Sequence, residues 1–175
     1  NKEQIIATNQ YKHIIYESNI FLNENNFFIT KDYKTSFEIV SIFLIMFIRI
    51  NLLQENRKKF LIVNDKLVSL FVADLDESLR EKGIGDMSIG KYVKSYIKKF
   101  YFRISKFPND NNLYRNDAFI EYLKLTNLIK NPLLTISGKN QIKFLSSKFN
   151  ITIPSVTGDC FMQRPIWKED NKELK

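Results

Sequence analysis

The sequence predicts an all-α protein: a single compact bundle of about six helices followed by an irregular C-terminal tail. Three observations point there. Only four prolines and five glycines interrupt the 175 residues, too few for a turn-rich β-protein. Apolar residues make up 44% of the chain and recur at three- and four-residue spacing through its first two thirds. No internal repeat or composition break precedes residue 150, so residues 1–150 are expected as one helical domain and 151–175 as an extended arm.

Residues 3–21 read as a first amphipathic helix, with Ile6, Tyr11, Ile14, Ile15 and Phe21 among its apolar positions, broken by the run NENN. A second helix is expected from an N-cap at Thr35 or Ser36 to about Gln54. It is apolar nearly all round and belongs at the centre of a bundle. Its uninterrupted apolar core, Ile42 to Ile48, is shorter than the ~20 residues that span a bilayer.

The third helix, 57–82, carries Leu67, Val68, Leu70, Phe71, Val72, Leu75 and Leu79 on one broad face and stops at Gly83. The fourth, 88–106, places Ile89, Val93, Tyr96, Ile97, Phe100, Tyr101 and Ile104 at helical spacing, ending before Pro108. Two weaker helices are expected at 114–129 and 138–149. The tail has two prolines and a charged end, and Phe161, Ile166 and Trp167 could dock it onto the bundle.

A formal charge of +8 and a pI near 9.4 suit an acidic partner: nucleic acid, an anionic membrane surface or an acidic protein. Part of the charge fits the Asn, Lys and Ile bias of an AT-rich genome. One cysteine, Cys160, can form no internal disulfide and fits a reducing compartment. With His13 the sole histidine, no metal site of His/Cys spacing and no Ser-His-Asp or Cys-His set can be drawn. No signal or transit pattern is read in these residues.

The segment GDMSIGK places Gly85, Gly90 and Lys91 at phosphate-loop spacing. It follows a helix rather than a strand, Tyr92 replaces the metal-binding hydroxyl, and Asp86 sets a negative charge where phosphate would lie. The segment reads instead as a helix–turn–helix corner. Gly83 ends one helix, Gly85 turns with positive φ or allows a close backbone approach, Asp86 or Ser88 caps the next helix, and Gly90 permits close packing.

Around this corner lie the candidate functional residues. At 100° per residue, Asp74 falls about 80° from the apolar centre of its helix, which leaves it open between a buried structural partner and a partner-binding residue. Asp76 stands four residues before Arg80, at ion-pair spacing. The two aspartates diverge by ~200° and cannot converge on one substrate atom. Lys91, Lys94 and Lys98 share the face opposite the apolar stripe, with Lys106 and Phe102 toward its edge. Such a surface suits anionic lipid, RNA or an acidic partner.

The run LFVADLDESLREKGIGDMSIGKYVKSYIKKFYFRI resembles the signature of the ubiquinol–cytochrome c chaperone family. The matching positions are Asp74, Asp76, Leu79, Arg80, Glu81, Gly83, Gly85, Asp86, Ser88, Gly90, Lys91, Phe100, Tyr101 and Arg103. Weaker similarity reaches back through FEIVSIFLIMFIRI, giving coverage of roughly residues 11–107. Two departures stand out. Where the family carries D-G-R-F-E, this chain has Lys34-Thr35-Ser36-Phe37-Glu38, and a glycine common after the Phe-Tyr pair is Phe102.

The resemblance implies an all-helical assembly factor, not an enzyme, with no cofactor, metal or small-molecule substrate. It would bind newly made cytochrome b while ubiquinol–cytochrome c oxidoreductase, complex III, is assembled. It would act peripherally at the cytoplasmic face of the inner membrane, or in the mitochondrial matrix of a eukaryote. The expected partner-binding rim is Asp74, Asp76, Arg80, Gly83, Gly85, Asp86 and Lys91, holding a hydrophobic client segment. Lys94, Lys98 and Phe102 extend a basic face toward lipid headgroups or ribosomal RNA. The alternative is a basic helical RNA- or ribosome-binding adaptor at the membrane surface.

Overall fold

The computed structural model describes residues 1–24, 32–109 and 117–128. Among these the chain forms five helices: α1 (Lys2–Glu24), α2 (Tyr33–Leu52), α3 (Arg57–Glu81), α4 (Asp86–Lys106) and α5 (Asp117–Thr126). The all-α expectation holds, with no strand among the described residues. The helix expected at 138–149 and the arm at 151–175, with Phe161, Ile166 and Trp167, lie outside them.

Two compact units are distinguished among the described residues, one of residues 1–14 with 44–105 and one of those within 15–43 with those within 106–128. In the first, α3 buries Phe60, Val63, Leu67, Phe71, Leu75 and Leu79, a stripe that repeats every three or four residues as a one-faced helix must. Val68, Leu70 and Val72 flank it half-buried. The side chain of Asn56 caps α3 by accepting from the Lys59 N–H at 3.1 Å.

α4 turns Ile89, Val93, Phe100 and Arg103 inward. The rings of Phe71 and Phe100 meet with centroids 5.0 Å apart and a tilt of 55°, a geometry that favours ring edge against ring face. Tyr101, expected in this stripe, is exposed. It stands one helical step of 100° from Phe100, while Arg103, three residues on, returns to the inner face.

A polar cluster lies inside this unit. Gln10 and Asn51 exchange two amide hydrogen bonds, at 2.9 and 2.8 Å. Asn51 also donates to the Asn64 side chain at 2.8 Å, and Asn64 donates to the Ile48 carbonyl at 3.1 Å. All three amides are buried, so these bonds replace the water that burial removes.

In the second unit, Phe21 and Phe43 meet edge to face at 6.2 Å. Phe107, Phe119 and Tyr122 form a separate aromatic group, with Phe107 4.8 Å from Tyr122 and 5.8 Å from Phe119. α5 ends at Asn127, whose φ of +57° is a left-handed conformation that asparagine tolerates better than most residues.

The start of α2 corrects an expectation. Neither Thr35 nor Ser36 is the N-cap; both lie inside the helix. Asp32 caps it, accepting the Thr35 N–H on its carboxylate at 2.7 Å and the Ser36 N–H on its carbonyl at 3.0 Å. A carboxylate serves there as well as a hydroxyl and adds its charge to the helix dipole. The Thr35 N–H is the main reason the Asp32 carboxyl is held below its ordinary pKa. α2 is long and apolar enough to cross a bilayer by length and composition, while 67% of its most apolar stretch is buried within the protein.

Candidate functional site

The corner between α3 and α4 is built from backbone bonds outward. Gly83 has φ +93°, and its N–H donates to the Arg80 carbonyl at 2.9 Å while the Ile84 N–H reaches the Leu79 carbonyl at 3.2 Å. This pair of bonds is the Schellman closure, which satisfies carbonyls that the end of a helix leaves open. Gly83 therefore stops α3 as the sequence predicted.

The remaining corner residues depart from expectation. α4 begins at Asp86, and its first bonds run from the N–H groups of Ser88 and Ile89 to the Gly85 carbonyl, both at 3.0 Å. Gly85 thus occupies the capping position expected for Asp86 or Ser88. It has no positive φ, and a Cβ built on Gly85 or on Gly90 would meet nothing within 4 Å. Neither glycine serves a close approach within the described chain.

Opposite shifts follow for two alanine substitutions. Gly83→Ala forces a side chain into the left-handed region and lowers stability by about 1 kcal/mol. Gly90→Ala meets open space in a helix interior and raises it by roughly 0.5–1 kcal/mol. Urea unfolding midpoints of the two variants check both signs.

Asp86 is released from capping and binds Arg80 instead. The Arg80 guanidinium donates through Nε to Asp76 at 2.6 Å and through Nη1 to Asp86. One cation therefore ties the last turns of α3 to the first turn of α4. The hydrogen bond with Asp76, and next that with Asp86, raises the Arg80 pKa, so the guanidinium stays charged at any working pH. All three side chains face solvent, Asp86 at 87% exposure, and ion pairs so placed add little to stability.

Asp74, one residue pair away, has a different neighbour. The Tyr11 hydroxyl of α1 donates to its carboxylate at 2.5 Å, within the half-buried margin of α3. Asp74 is thus a structural partner of Tyr11, and its carboxylate does not converge with that of Asp76. The structure brings Asp76, Arg80, Gly83, Gly85 and Asp86 together at the corner, with Lys91 one turn further along α4.

On α4, Lys91, Lys94, Lys98 and Phe102 are all exposed, on the side away from Ile89, Val93 and Phe100. Phe102 also lies 5.8 Å from the Arg103 guanidinium carbon, at cation–π range. Sequence reasoning missed Met87, which is fully exposed in the first turn of this helix. Among the described residues no group of three or more His, Cys, Asp or Glu side chains could hold a metal ion.

The described residues define a class: an all-helical fold whose α3–α4 corner is bridged by surface ion pairs. The sequence model of the ubiquinol-cytochrome C chaperone family matches residues 25–108, which take in α2, α3, the corner and α4. Over those residues the chain is similar to the ubiquinol-cytochrome C chaperone family. No curated protein and no solved structure shows significant similarity to the chain.

Proposed function

We propose that the protein is an assembly chaperone that binds newly made cytochrome b during maturation of complex III, and that it is not an enzyme. The match to the family model over residues 25–108 supports the chaperone role. The observation that carries the site is the double pairing of Arg80 with Asp76 and Asp86. It fixes the geometry of an exposed corner while contributing little to stability, which suits a surface presented to another protein.

In this reading Asp76, Arg80, Asp86 and Lys91 offer charges of both signs in a fixed order, and a client loop of complementary charge docks against them. Such charges select the partner and speed its capture more than they add affinity. The open positions over Gly85 and Gly90 leave the client's backbone room to approach the corner. Asp74 contributes indirectly, through the Tyr11 bond that holds α1 against α3. The work takes place at the inner face of the inner membrane, where the client is inserted.

Affinity capture of the full chain from membranes of the organism that makes it tests the reading. Cytochrome b is expected in the captured material, resistant to nuclease. Capture of ribosomes alone, abolished by nuclease and by moderate salt, contradicts the client assignment and supports an RNA- or ribosome-binding adaptor.

A further inference from the structure

After Asp86, α4 carries no acidic residue: its charged side chains are Lys91, Lys94, Lys98, Lys99, Arg103 and Lys106. At 100° per residue, Met87, Lys91, Lys94, Lys98 and Phe102 fall within a sector of about 80°, opposite the buried Ile89, Val93 and Phe100. Met87 is 100% exposed and Phe102 47%. Apolar side chains stand in water there among cations, along a helix about 30 Å long. The only arginine of the helix, Arg103, is buried.

We infer that this face seats the protein on an anionic lipid bilayer. Lys91, Lys94 and Lys98 lie against the headgroups, and Met87 and Phe102 enter the interfacial layer beneath them. Charge complementarity carries the assignment, since an acid-free row of lysines is attracted to a negative leaflet within a Debye length. The apolar pair decides between bilayer and RNA. Met87 offers area for lipid but neither a stacking plane nor a donor for a base. The exposed cations are point-like lysines, without the planar fork by which arginine grips nucleic acid. This inference concerns the chain's own surface and needs no protein partner; of its residues only Lys91 is shared with the client reading.

Flotation of the full chain with vesicles tests it, using phosphatidylcholine alone or mixed with phosphatidylglycerol. The protein is expected to float with the mixed vesicles only, and less as salt rises. The combined variant Lys91→Gln, Lys94→Gln, Lys98→Gln should lower the partition coefficient on the order of 100-fold at low ionic strength. Phe102→Ser should lower it about 10-fold and leave the salt dependence intact. Unchanged far-UV circular dichroism checks that the exposed positions were altered without unfolding. Equal binding to neutral vesicles, or undiminished flotation of the triple-lysine variant, overturns the inference. So does binding to an RNA oligonucleotide with no binding to vesicles, which would assign the face to RNA. A protein that captures cytochrome b yet fails to float defeats this inference alone.

Discussion

Asn51→Ala is expected to destabilise the protein by about 3–4 kcal/mol, which for a chain of this size lowers the melting temperature by roughly 10 °C. Asn51 is the hub of the buried amide cluster, with two bonds to Gln10 and one to Asn64. Its truncation leaves both ends of the Gln10 amide unmatched and removes the donor to the Asn64 oxygen. Each orphaned group carries a desolvation penalty of about 1–3 kcal/mol, moderated where water can enter the space. The combined variant Gln10→Leu, Asn51→Leu, Asn64→Leu should recover most of the loss, because removing all the polar partners leaves no orphan. Differential scanning calorimetry on both variants separates lost hydrogen bonding from lost packing. A single variant within about 1 kcal/mol of the parent would mean that the cluster is not desolvated.

The second large effect is expected at Phe100. This ring is 1% exposed and lies 5.0 Å from that of Phe71. Phe100→Ala should cost about 3–5 kcal/mol through lost transfer energy and the cavity left between α3 and α4. Phe102→Ala, two residues on, should cost about 1 kcal/mol or less, since its ring lies outside the core and loses chiefly the contact with Arg103. Urea titrations compare the two directly. A similar loss at both positions would contradict the assignment of the inner and outer faces of α4.

Much of this arrangement was legible from periodicity. The i, i+4 stripe from Leu67 to Leu79 and the basic outer row Lys91, Lys94 and Lys98 follow from one angle per residue. Gly83 was legible for a different reason: a glycine after a long apolar-periodic run has few other uses. The Asp76–Arg80 spacing likewise predicted an ion pair that forms at 2.6 Å.

The misses share a physical cause. Which residue caps a helix depends on where its first turn begins, and composition does not fix that to within a residue or two. Asp32 therefore took the role expected of Thr35 or Ser36, and Gly85 the one expected of Asp86 or Ser88. Asp86 found its partner in Arg80, six residues earlier, through a turn whose geometry no periodicity reports. The Tyr11–Asp74 bond joins residues 63 positions apart, and long-range pairing leaves no local mark. Asn64 did leave one. It is an amide within the apolar stripe of α3, and a polar residue at such a position signals a buried partner.

The charged corner as a client-binding surface is tested most directly by the cytochrome b captured with the Arg80→Glu variant, compared with the parent chain. Arg80 makes only exposed pairs, so the variant should keep its helicity and lose no more than about 1 kcal/mol of stability. The expected result is a loss of cytochrome b by about tenfold or more, equivalent to at least 1.4 kcal/mol of binding. Recovery of as much cytochrome b by the Arg80→Glu protein as by the parent would contradict the corner's role.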